Sequence, residues 1–164
     1  MTEGIYLLLG SNMGDKQQLL STAIDKISIS NTIKIRSSIY ETAPWGNTDQ
    51  PSFYNQVVQI TTSLKPEHLL AHLLNIEEEM GRIREVKWGQ RIIDIDILYY
   101  NNLVINADQL TIPHPEIANR RFTLVPLVEI AEKFEHPILK KYQEELLDAC
   151  EDELLVKRIN NTKT

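Results

Sequence analysis

Two aspartates separated by a single residue form the sharpest chemical signal in this sequence. Asp94 and Asp96 occupy alternate positions of the run Ile93-Asp94-Ile95-Asp96-Ile97. In a strand, side chains two residues apart lie roughly 7 Å apart on one face, so both carboxylates would project together while the isoleucines pack on the other side. Such a pair can bind divalent cations for phosphoryl chemistry. The simpler interpretation is a half-exposed strand with its polar residues in water. However, aspartate is depleted from strands and two like charges on one face repel, so metal binding is favoured.

The residues before this pair carry a strong local positive charge. Four cations and one anion, Glu85, give residues 82–91 a charge of +3 in a chain whose net charge is −6. Guanidinium groups match phosphate oxygens, and a focused positive patch on an acidic body suits a small polyanionic ligand. A solvated basic turn would explain one or two arginines but not Trp88 beside Gly89, so the segment is predicted to act as a lid. The four cations are Arg82, Arg84, Lys87 and Arg91.

A histidine between two prolines marks a second candidate binding segment. Pro113 and Pro115 restrict the backbone on both sides of His114, and two arginines and Phe122 follow within eight residues. A lone histidine is more often structural than functional, and both interpretations stay open here. Residues 10–16 lack the spacing of a P-loop, so phosphate binding is expected from arginines and metal instead.

The apolar pattern predicts the elements that position these residues. Alternating or β-branched runs indicate four strands, and apolar residues at helical spacing indicate a helix after the first strand and another after the third. The resulting βαββαβ order is that of a ferredoxin-like core of α+β class, with an antiparallel sheet, helices on one face and C-terminal helical additions. The strands are expected at residues 3–9, 33–40, 53–62 and 92–100, and the helices after Asp15, from Pro66 to Gly81, around 124–132 and around 140–148.

The composition is that of one globular domain. The chain has 164 residues, of which 42% are apolar and 24% charged, and we expect a single domain over residues 1–164. The net negative charge argues against nucleic acid as the partner. The apolar run at residues 5–9 is too short for a signal sequence or a membrane span, and the single Cys150 excludes an internal disulfide. We therefore expect a cytoplasmic monomer without a membrane partner.

Four blocks of residues follow one another at spacings typical of a known family. They are Gly10-Ser-Asn-Met-Gly14, Tyr40-Glu-Thr-Ala-Pro-Trp-Gly46, residues 82–96 ending in Arg91-x-x-Asp-x-Asp96, and Pro113-His114 with Asn119-Arg120. In these blocks, and over about residues 4–132, the chain resembles the hydroxymethyldihydropterin pyrophosphokinases. The resemblance implies transfer of pyrophosphate from ATP to the hydroxymethyl group of 6-hydroxymethyl-7,8-dihydropterin, with release of AMP, as a step of folate synthesis.

The resemblance also implies roles for individual residues. Asp94 and Asp96 would bind two Mg2+ ions, and Arg82 and Arg91 would act with them in catalysis. The residues expected to contact ATP are Arg82, Arg84, Arg91, Thr111, His114 and Arg120. The residues expected to contact the pterin are Thr42, Ala43, Pro44, Trp45, Gly46, Phe53, Asn55, Trp88 and Phe122.

Some of these residues also fit a pterin site by their chemistry. Phe53 and Asn55 are two apart on a predicted strand and share a face, and a flat heterocycle is bound by aromatic stacking and in-plane hydrogen bonds. Without the family, Phe53 and Phe122 would be interpreted as core residues. The chain departs from the family pattern, with consequences for nucleotide affinity and loop behaviour, at Glu85, Gln90, Pro115 and Arg121.

Two other classes of protein share parts of this pattern. A ferredoxin-like RNA-binding module has the same element order but needs a basic sheet face with stacking aromatics, whereas the fourth strand here carries two aspartates. A metal-dependent phosphohydrolase would use paired aspartates without a pterin pocket. Release of AMP in the presence of a pterin distinguishes the pyrophosphokinase from both.

Overall fold

An antiparallel sheet organises the computed structural model, which describes residues 3–43, 51–81 and 92–159. The strands are β1 (Ile5–Ser11), β2 (Thr32–Arg36), β3 (Tyr40–Thr42), β4 (Phe53–Thr61), β5 (Asp94–Tyr100), β6 (Ile105–Asn106), β7 (Thr111–Ile112) and β8 (Val156–Arg158). The helices are α1 (Lys16–Ile27), α2 (Pro66–Glu79), α3 (Arg121–Ala131) and α4 (Gln143–Ala149). In this described part of the chain, the main sheet has the order β5-β1-β4-β3-β8, with β2 also paired to β4, and β6 pairs with β7.

The sheet confirms the α+β class and the predicted antiparallel pairing. β1 lies between β4 and β5, and both pairings are antiparallel. All seven residues of β1 are buried, because apolar layers cover both faces of this strand. A short continuous apolar run in the sequence is typical of such a buried strand. β1 extends to Ser11, however, so Gly10 lies within the sheet rather than in the predicted loop.

The predicted second strand is in fact two strands, which corrects the expected element order. β2 ends at Arg36 and β3 begins at Tyr40. Between them, the Ser37 hydroxyl accepts a hydrogen bond from the Val57 backbone at 2.9 Å, and the Gln56 side chain donates to the Ser37 carbonyl at 2.8 Å. Side-chain bonds of serine compete with the ladder of backbone bonds, which explains the interruption. β3 resumes pairing with the same partner, β4.

Apolar side chains pack in two layers, one on each face of the sheet. On one face, α1 and α2 cover Leu7 of β1 together with isoleucines of β5. On the other face, α3 and α4 cover Tyr6 and Leu8. The two helices of the predicted core, α1 and α2, therefore lie on one face as expected, and the C-terminal helices cover the other face. Alternation along β1 creates a second apolar face, and the C-terminal helices bury it.

The starts of α1 and α2 follow local sequence signals. Asp15 caps α1 as predicted, and its carboxylate accepts a hydrogen bond from the Gln18 backbone at 3.1 Å. Pro66 begins α2, also as predicted. α3 begins at Arg121 and α4 at Gln143, close to the predicted starts at 124 and 140. None of the helices in the described ranges is long and apolar enough to cross a membrane.

Candidate active site

A cavity of about 350 Å³ lies where β1, β3, β4 and β5 meet the start of α3. Each of these elements contributes lining residues, as does the short turn before α3. The fold thus brings residues from separate parts of the sequence to one place. Among the described residues, the lining comprises Leu8, Gly10, Thr42, Ala43, Phe53, Asn55, Asp94, Asp96, Glu116, Asn119, Arg120 and Phe122.

Asp94 and Asp96 both line this cavity from β5. In the sheet register, Asp94 lies opposite Gly10 of β1. Asp96 lies opposite Leu8, and both aspartates are half-buried. The intervening Ile95 packs into the layer formed with α1 and α2. The alternation along the strand therefore places both acids on the face that opens into the cavity.

This acidic pair fits a magnesium site. Mg2+ prefers oxygen ligands and is commonly held by one or two carboxylates together with waters and substrate phosphates. Within residues 3–43, 51–81 and 92–159, no group of three or more histidine, cysteine, aspartate or glutamate side chains could hold a metal ion. Two carboxylates, with the remaining ligand positions left to phosphates and water, match that mode of binding.

A buried glutamate of α2 holds β5 in place at Ile95, the residue between the two aspartates. Glu77 is 2% exposed, and its carboxylate accepts a hydrogen bond from the Ile95 backbone at 2.7 Å. Among the described strands, β5 lies at the edge of the sheet, so this N–H would otherwise lack a partner strand there. The bond holds the part of β5 from which the acids project. Sequence reasoning missed Glu77, although a glutamate beside Ile76 on the apolar stripe of α2 was an available signal.

His114 is attached to β5 through its backbone. β5 contains a bulge at Leu98, where the register with β1 shifts. The Leu98 carbonyl accepts a hydrogen bond from the His114 backbone at 3.0 Å, and the peptide bond before Pro113 is cis. The bulge thus supplies the attachment point for the segment that carries the histidine.

The imidazole of His114 is held as a neutral ring. Its Nδ1 accepts a hydrogen bond from the Glu116 backbone at 3.1 Å, which leaves the proton on Nε2. Burial lowers the pKa of His114, the positive Arg120 lowers it further, and Glu116 acts in the opposite direction. At neutral pH the ring can therefore donate one hydrogen bond without carrying a charge. Neither His114 nor Thr111 lines the cavity, although both were expected at the nucleotide, and Thr111 is exposed on β7.

Another wall of the cavity combines a buried amide with aromatic residues. Asn55 is 5% exposed, and its amide donates to the Thr42 hydroxyl at 3.4 Å. Its Oδ1 lies so close to Gly10 that a Cβ at that position would approach it to 2.7 Å. This orientation of Asn55 therefore requires a glycine at position 10. Phe53 and Phe122 line the cavity from β4 and α3.

Glu116 and Leu8 line the cavity but were not expected there. Glu116 accepts a hydrogen bond from the Asn119 amide at 3.3 Å, and both residues border the cavity next to Arg120. A glutamate three residues before an asparagine, just after His114, was the available signal. Leu8 was detectable from the alternation along β1, because its neighbours on both sides pack on the other face.

Several expected site residues lie outside the described residues. Two of the four departures from the family pattern are described: Pro115 is exposed, and the Arg121 backbone donates to Asp152. The expected residues outside the described ranges are Pro44, Trp45, Gly46, Arg82, Arg84, Trp88 and Arg91, together with the departures Glu85 and Gln90.

Comparison with known proteins confirms the family resemblance that was predicted from the sequence. The family model described as 7,8-dihydro-6-hydroxymethylpterin-pyrophosphokinase (HPPK) matches residues 6–132. A 2-amino-4-hydroxy-6-hydroxymethyldihydropteridine pyrophosphokinase of Methylorubrum extorquens is 46% identical over 128 residues, which cover 77% of this chain and 81% of the relative. The protein of the same name from Bacillus subtilis is 45% identical over 132 residues, which cover 79% of each chain.

Other similar proteins are much longer than this chain. A Folic acid synthesis protein of Pneumocystis carinii is 40% identical over 151 residues, which cover 89% of this chain but only about a fifth (20%) of the relative. The fold is similar to that of a Plasmodium falciparum HPPK-DHPS, with a TM-score of 0.72 and 20% identity, over 90% of this chain and 42% of that chain. This last similarity concerns the fold alone. Because the family model matches most of the chain, and two relatives of comparable length are 45% and 46% identical to it, the chain belongs to the 7,8-dihydro-6-hydroxymethylpterin-pyrophosphokinase family.

Proposed function

We propose that this protein transfers a pyrophosphoryl group from ATP to the hydroxymethyl oxygen of 6-hydroxymethyl-7,8-dihydropterin, a step of folate synthesis. The observation that carries the proposal is the cavity that brings together the acidic pair of β5, the Asn55 amide and two aromatic side chains. Phosphoryl transfer to a flat heterocycle needs metal-binding and ring-binding groups within reach of each other. Membership of the family supports the same reaction.

The pterin would lie between Phe53 and Phe122. Aromatic side chains stack on flat heterocycles, and the Asn55 amide can both donate to and accept from the edge of a ring. Thr42, whose hydroxyl the Asn55 amide contacts at 3.4 Å, would keep this amide in one orientation. These residues would orient the hydroxymethyl group toward the acidic pair.

Two Mg2+ ions are proposed at the acidic pair, with Asp94 and Asp96 as their protein ligands. When bound, the cations would neutralise phosphate charge and polarise the attacking hydroxyl. Phosphate oxygens would also be bound by cationic side chains, of which Arg120 lines the cavity. The neutral imidazole of His114 would donate one hydrogen bond from Nε2 to the nucleotide. Thr111 would lie beside the nucleotide. The remaining arginines proposed at the phosphates are Arg82, Arg84 and Arg91.

The reaction would be an in-line displacement at the β-phosphorus of ATP. The pterin hydroxymethyl oxygen forms a bond to this phosphorus while the bond from the phosphorus to the α–β bridging oxygen breaks. AMP leaves with that oxygen, and the hydroxyl proton passes to solvent. Arginine side chains, Arg82 and Arg91 among them, would stabilise the charge on the transferring group and on AMP.

Two observations favour this reaction over the alternatives. An RNA-binding module of this element order binds single strands on an exposed sheet face. Here apolar layers cover both faces of the sheet, and the described lining of the cavity carries three acids against one arginine. A phosphohydrolase would attack with water and would need no acceptor site beside its acids, whereas Asn55 and the two phenylalanines, which line the same cavity, would form one.

We further propose that the enzyme is a cytoplasmic monomer with one domain over residues 1–164. Two relatives have comparable lengths, and this chain aligns with 79% of one and 81% of the other. Their lengths support a single domain of about this size. Sedimentation equilibrium of the active protein should show one species with the mass of a single chain. A stable dimer at assay concentrations would contradict the monomer.

The products of one assay test the proposed function. The protein is incubated with MgATP, with and without 6-hydroxymethyl-7,8-dihydropterin, and nucleotides and pterins are separated by chromatography. We expect equimolar AMP and pterin diphosphate, and only when the pterin is present. A 6-methyl pterin, which lacks the hydroxyl, is the matched control and should yield no AMP. Release of ADP or phosphate without the pterin would contradict the proposal and favour a phosphohydrolase.

A further inference from the structure

The first turn of α3 depends on a side chain from far along the chain. The N-cap residue of α3 is Arg120, whose guanidinium cannot accept a hydrogen bond and lines the cavity instead. The Arg121 backbone N–H, the first of α3, donates to a carboxylate oxygen of Asp152 at 3.0 Å. The other oxygen of Asp152 accepts a bond from the Leu154 backbone at 3.0 Å. Asp152 therefore supplies the cap that the local residue does not.

The residues that follow Asp152 pair with β3, a strand that also contributes to the cavity. β8 runs antiparallel to β3, and Val156 lies opposite Thr42. The Ile159 backbone donates to the Ile39 carbonyl at 2.8 Å, just before β3 begins. One short stretch, residues 152–159, therefore joins the start of α3 to β3 and to the residue just before it. We refer to it as the C-terminal segment.

Both elements joined by the C-terminal segment carry cavity residues. The start of α3 contributes Arg120 and Phe122, and β3 contributes Thr42. Pro126 lies inside α3 and has no N–H to donate to the Phe122 carbonyl. The first turn is therefore tied to the rest of α3 by fewer backbone bonds, and an external cap has more influence on its position.

We propose that Asp152 is a positioning residue for the pterin, because its cap on α3 holds Phe122 in place across the cavity from β3. The inference rests on the proposed function and concerns a part of the chain beyond residues 6–132, which the family model matches. Asp152 contacts α3 through the Arg121 backbone rather than lining the cavity itself. Its negative charge at the positive end of the helix dipole adds to the same effect.

Steady-state kinetics of Asp152→Ala test this inference. Without the cap, Phe122 samples more positions, and the pterin is bound less well in the ground state and the transition state alike. We expect the KM for the pterin to rise about three- to tenfold, the usual size of a helix N-cap effect, while kcat changes by less than about twofold. Asp152→Asn keeps one acceptor oxygen and should give an intermediate KM, and it carries the comparison if the alanine variant does not fold. The matched control, Glu153→Ala, removes the same charge from an exposed neighbour and should leave the KM unchanged.

A structural measurement separates positioning from general stability. Amide hydrogen exchange at Arg121 and Phe122 should accelerate in Asp152→Ala. A lower melting temperature with an unchanged pterin KM would overturn the inference, because Asp152 would then serve stability alone. Wild-type turnover in the same assay tests the proposed function separately. An active wild type with an unaffected Asp152→Ala overturns only this inference, whereas an inactive wild type overturns the proposed function and this inference with it.

Discussion

Of the individual residues, Asp94 and Asp96 are the two on which the proposed reaction depends most directly. Replacing either with asparagine preserves its size and removes a carboxylate charge from the cavity. We expect kcat to fall more than about tenfold, a loss of transition-state stabilisation above about 1.4 kcal/mol, while the protein still folds. Turnover and circular dichroism check both points. Asp108→Asn, on the exposed connection between β6 and β7, is the matched control. A variant at either site position that keeps more than about a tenth of the wild-type kcat would make the metal assignment wrong.

The contact between Gly10 and Asn55 leads to a second prediction at the residue scale. An added Cβ would come within 2.7 Å of Asn55 Oδ1, so the amide must turn away. We expect Gly10→Ala to raise the KM for the pterin about fivefold or more, because the displaced amide loses a hydrogen bond to the heterocycle that contributes about 1 kcal/mol. In the double variant Gly10→Ala/Asn55→Ala the clash disappears with the amide, so the two effects should be non-additive. Additive effects on the KM would show that the two positions act independently.

The sequence predicted the placement of those residues whose position follows from local spacing. Alternation along one strand was enough to put Asp94 and Asp96 on one face, and the resemblance to the family supplied Asn55. Glu77 and Asp152 were not predicted, because each accepts a hydrogen bond from a backbone group 18 or 31 residues away. No local pattern in the sequence encodes such partners.

Among the elements, hydrophobic periodicity predicted the helices and the strands up to β5, whereas side-chain hydrogen bonds decided where strands are interrupted. Glu129 of α3 accepts bonds from the Ser38 backbone and hydroxyl, each at 2.9 Å, and from the Tyr40 hydroxyl at 2.8 Å. Burial, together with Glu129, raises the pKa of Tyr40 to about 12, so this hydroxyl stays protonated and donates. These bonds hold the junction of β2 and β3 against α3. The alternating pattern at residues 33–40 did not reveal the junction, because the partner of the junction lies about 90 residues away.

The connection between α3 and α4 leads to a prediction about pH. The Nδ1 of His136 accepts bonds from the Ile138 and Leu139 backbones at 3.2 and 3.1 Å, so the folded protein needs the neutral ring. Burial lowers the pKa of His136 below its ordinary value of 6.5. The unfolded chain therefore binds the proton more readily. The contribution of this ring to the free energy of unfolding is complete above about pH 6.5 and is lost as the pH falls below that value.

Chemical unfolding at a series of pH values between about 5 and 8 measures this contribution. His136→Asn retains a side-chain acceptor that does not titrate, so its stability should fall less on acidification than that of the wild type. Burial also lowers the pKa of His114. Because the wild type and His136→Asn both contain His114, its effect on stability is the same in each, and the difference between the two pH profiles reports on His136. The exposed His68→Asn is the control and should keep the wild-type profile. An identical pH profile for His136→Asn and the wild type would contradict the prediction.

For the whole molecule, the sheet separates two apolar layers, and the sequence predicted only one of these layers in full. The sequence predicted the fold class and the elements up to β5, because these elements carry clear periodicity. It treated the last helices as additions, whereas they bury the second face of the sheet, with Leu124 and Leu127 in the same apolar cluster as Leu8. The strand Val156–Arg158 was not predicted at all. Three residues are too few to show alternation, and the strand exists through its pairing with β3.

The two substrates would share one cavity, so their binding should be coupled. The described lining carries the acidic pair and the proposed pterin residues together, and phosphates held at the acids would complete the wall that contacts the pterin. We expect a non-hydrolysable ATP analogue with Mg2+ to tighten pterin binding about five- to 150-fold, a coupling free energy of about 1–3 kcal/mol. Calorimetric titration of the pterin with and without the analogue measures this coupling.

Reciprocity provides the control for this last prediction. At equilibrium, the pterin must tighten binding of the ATP analogue by the same factor by which the analogue tightens binding of the pterin. Asp94→Asn should weaken the coupling in both directions, because the phosphates are then held less firmly next to the heterocycle. Asp108→Asn, on the exposed connection between β6 and β7, should preserve the coupling. A pterin affinity that is the same with and without the analogue would mean that the phosphates do not reach the pterin wall, and the shared cavity would then not be the place where the two substrates meet.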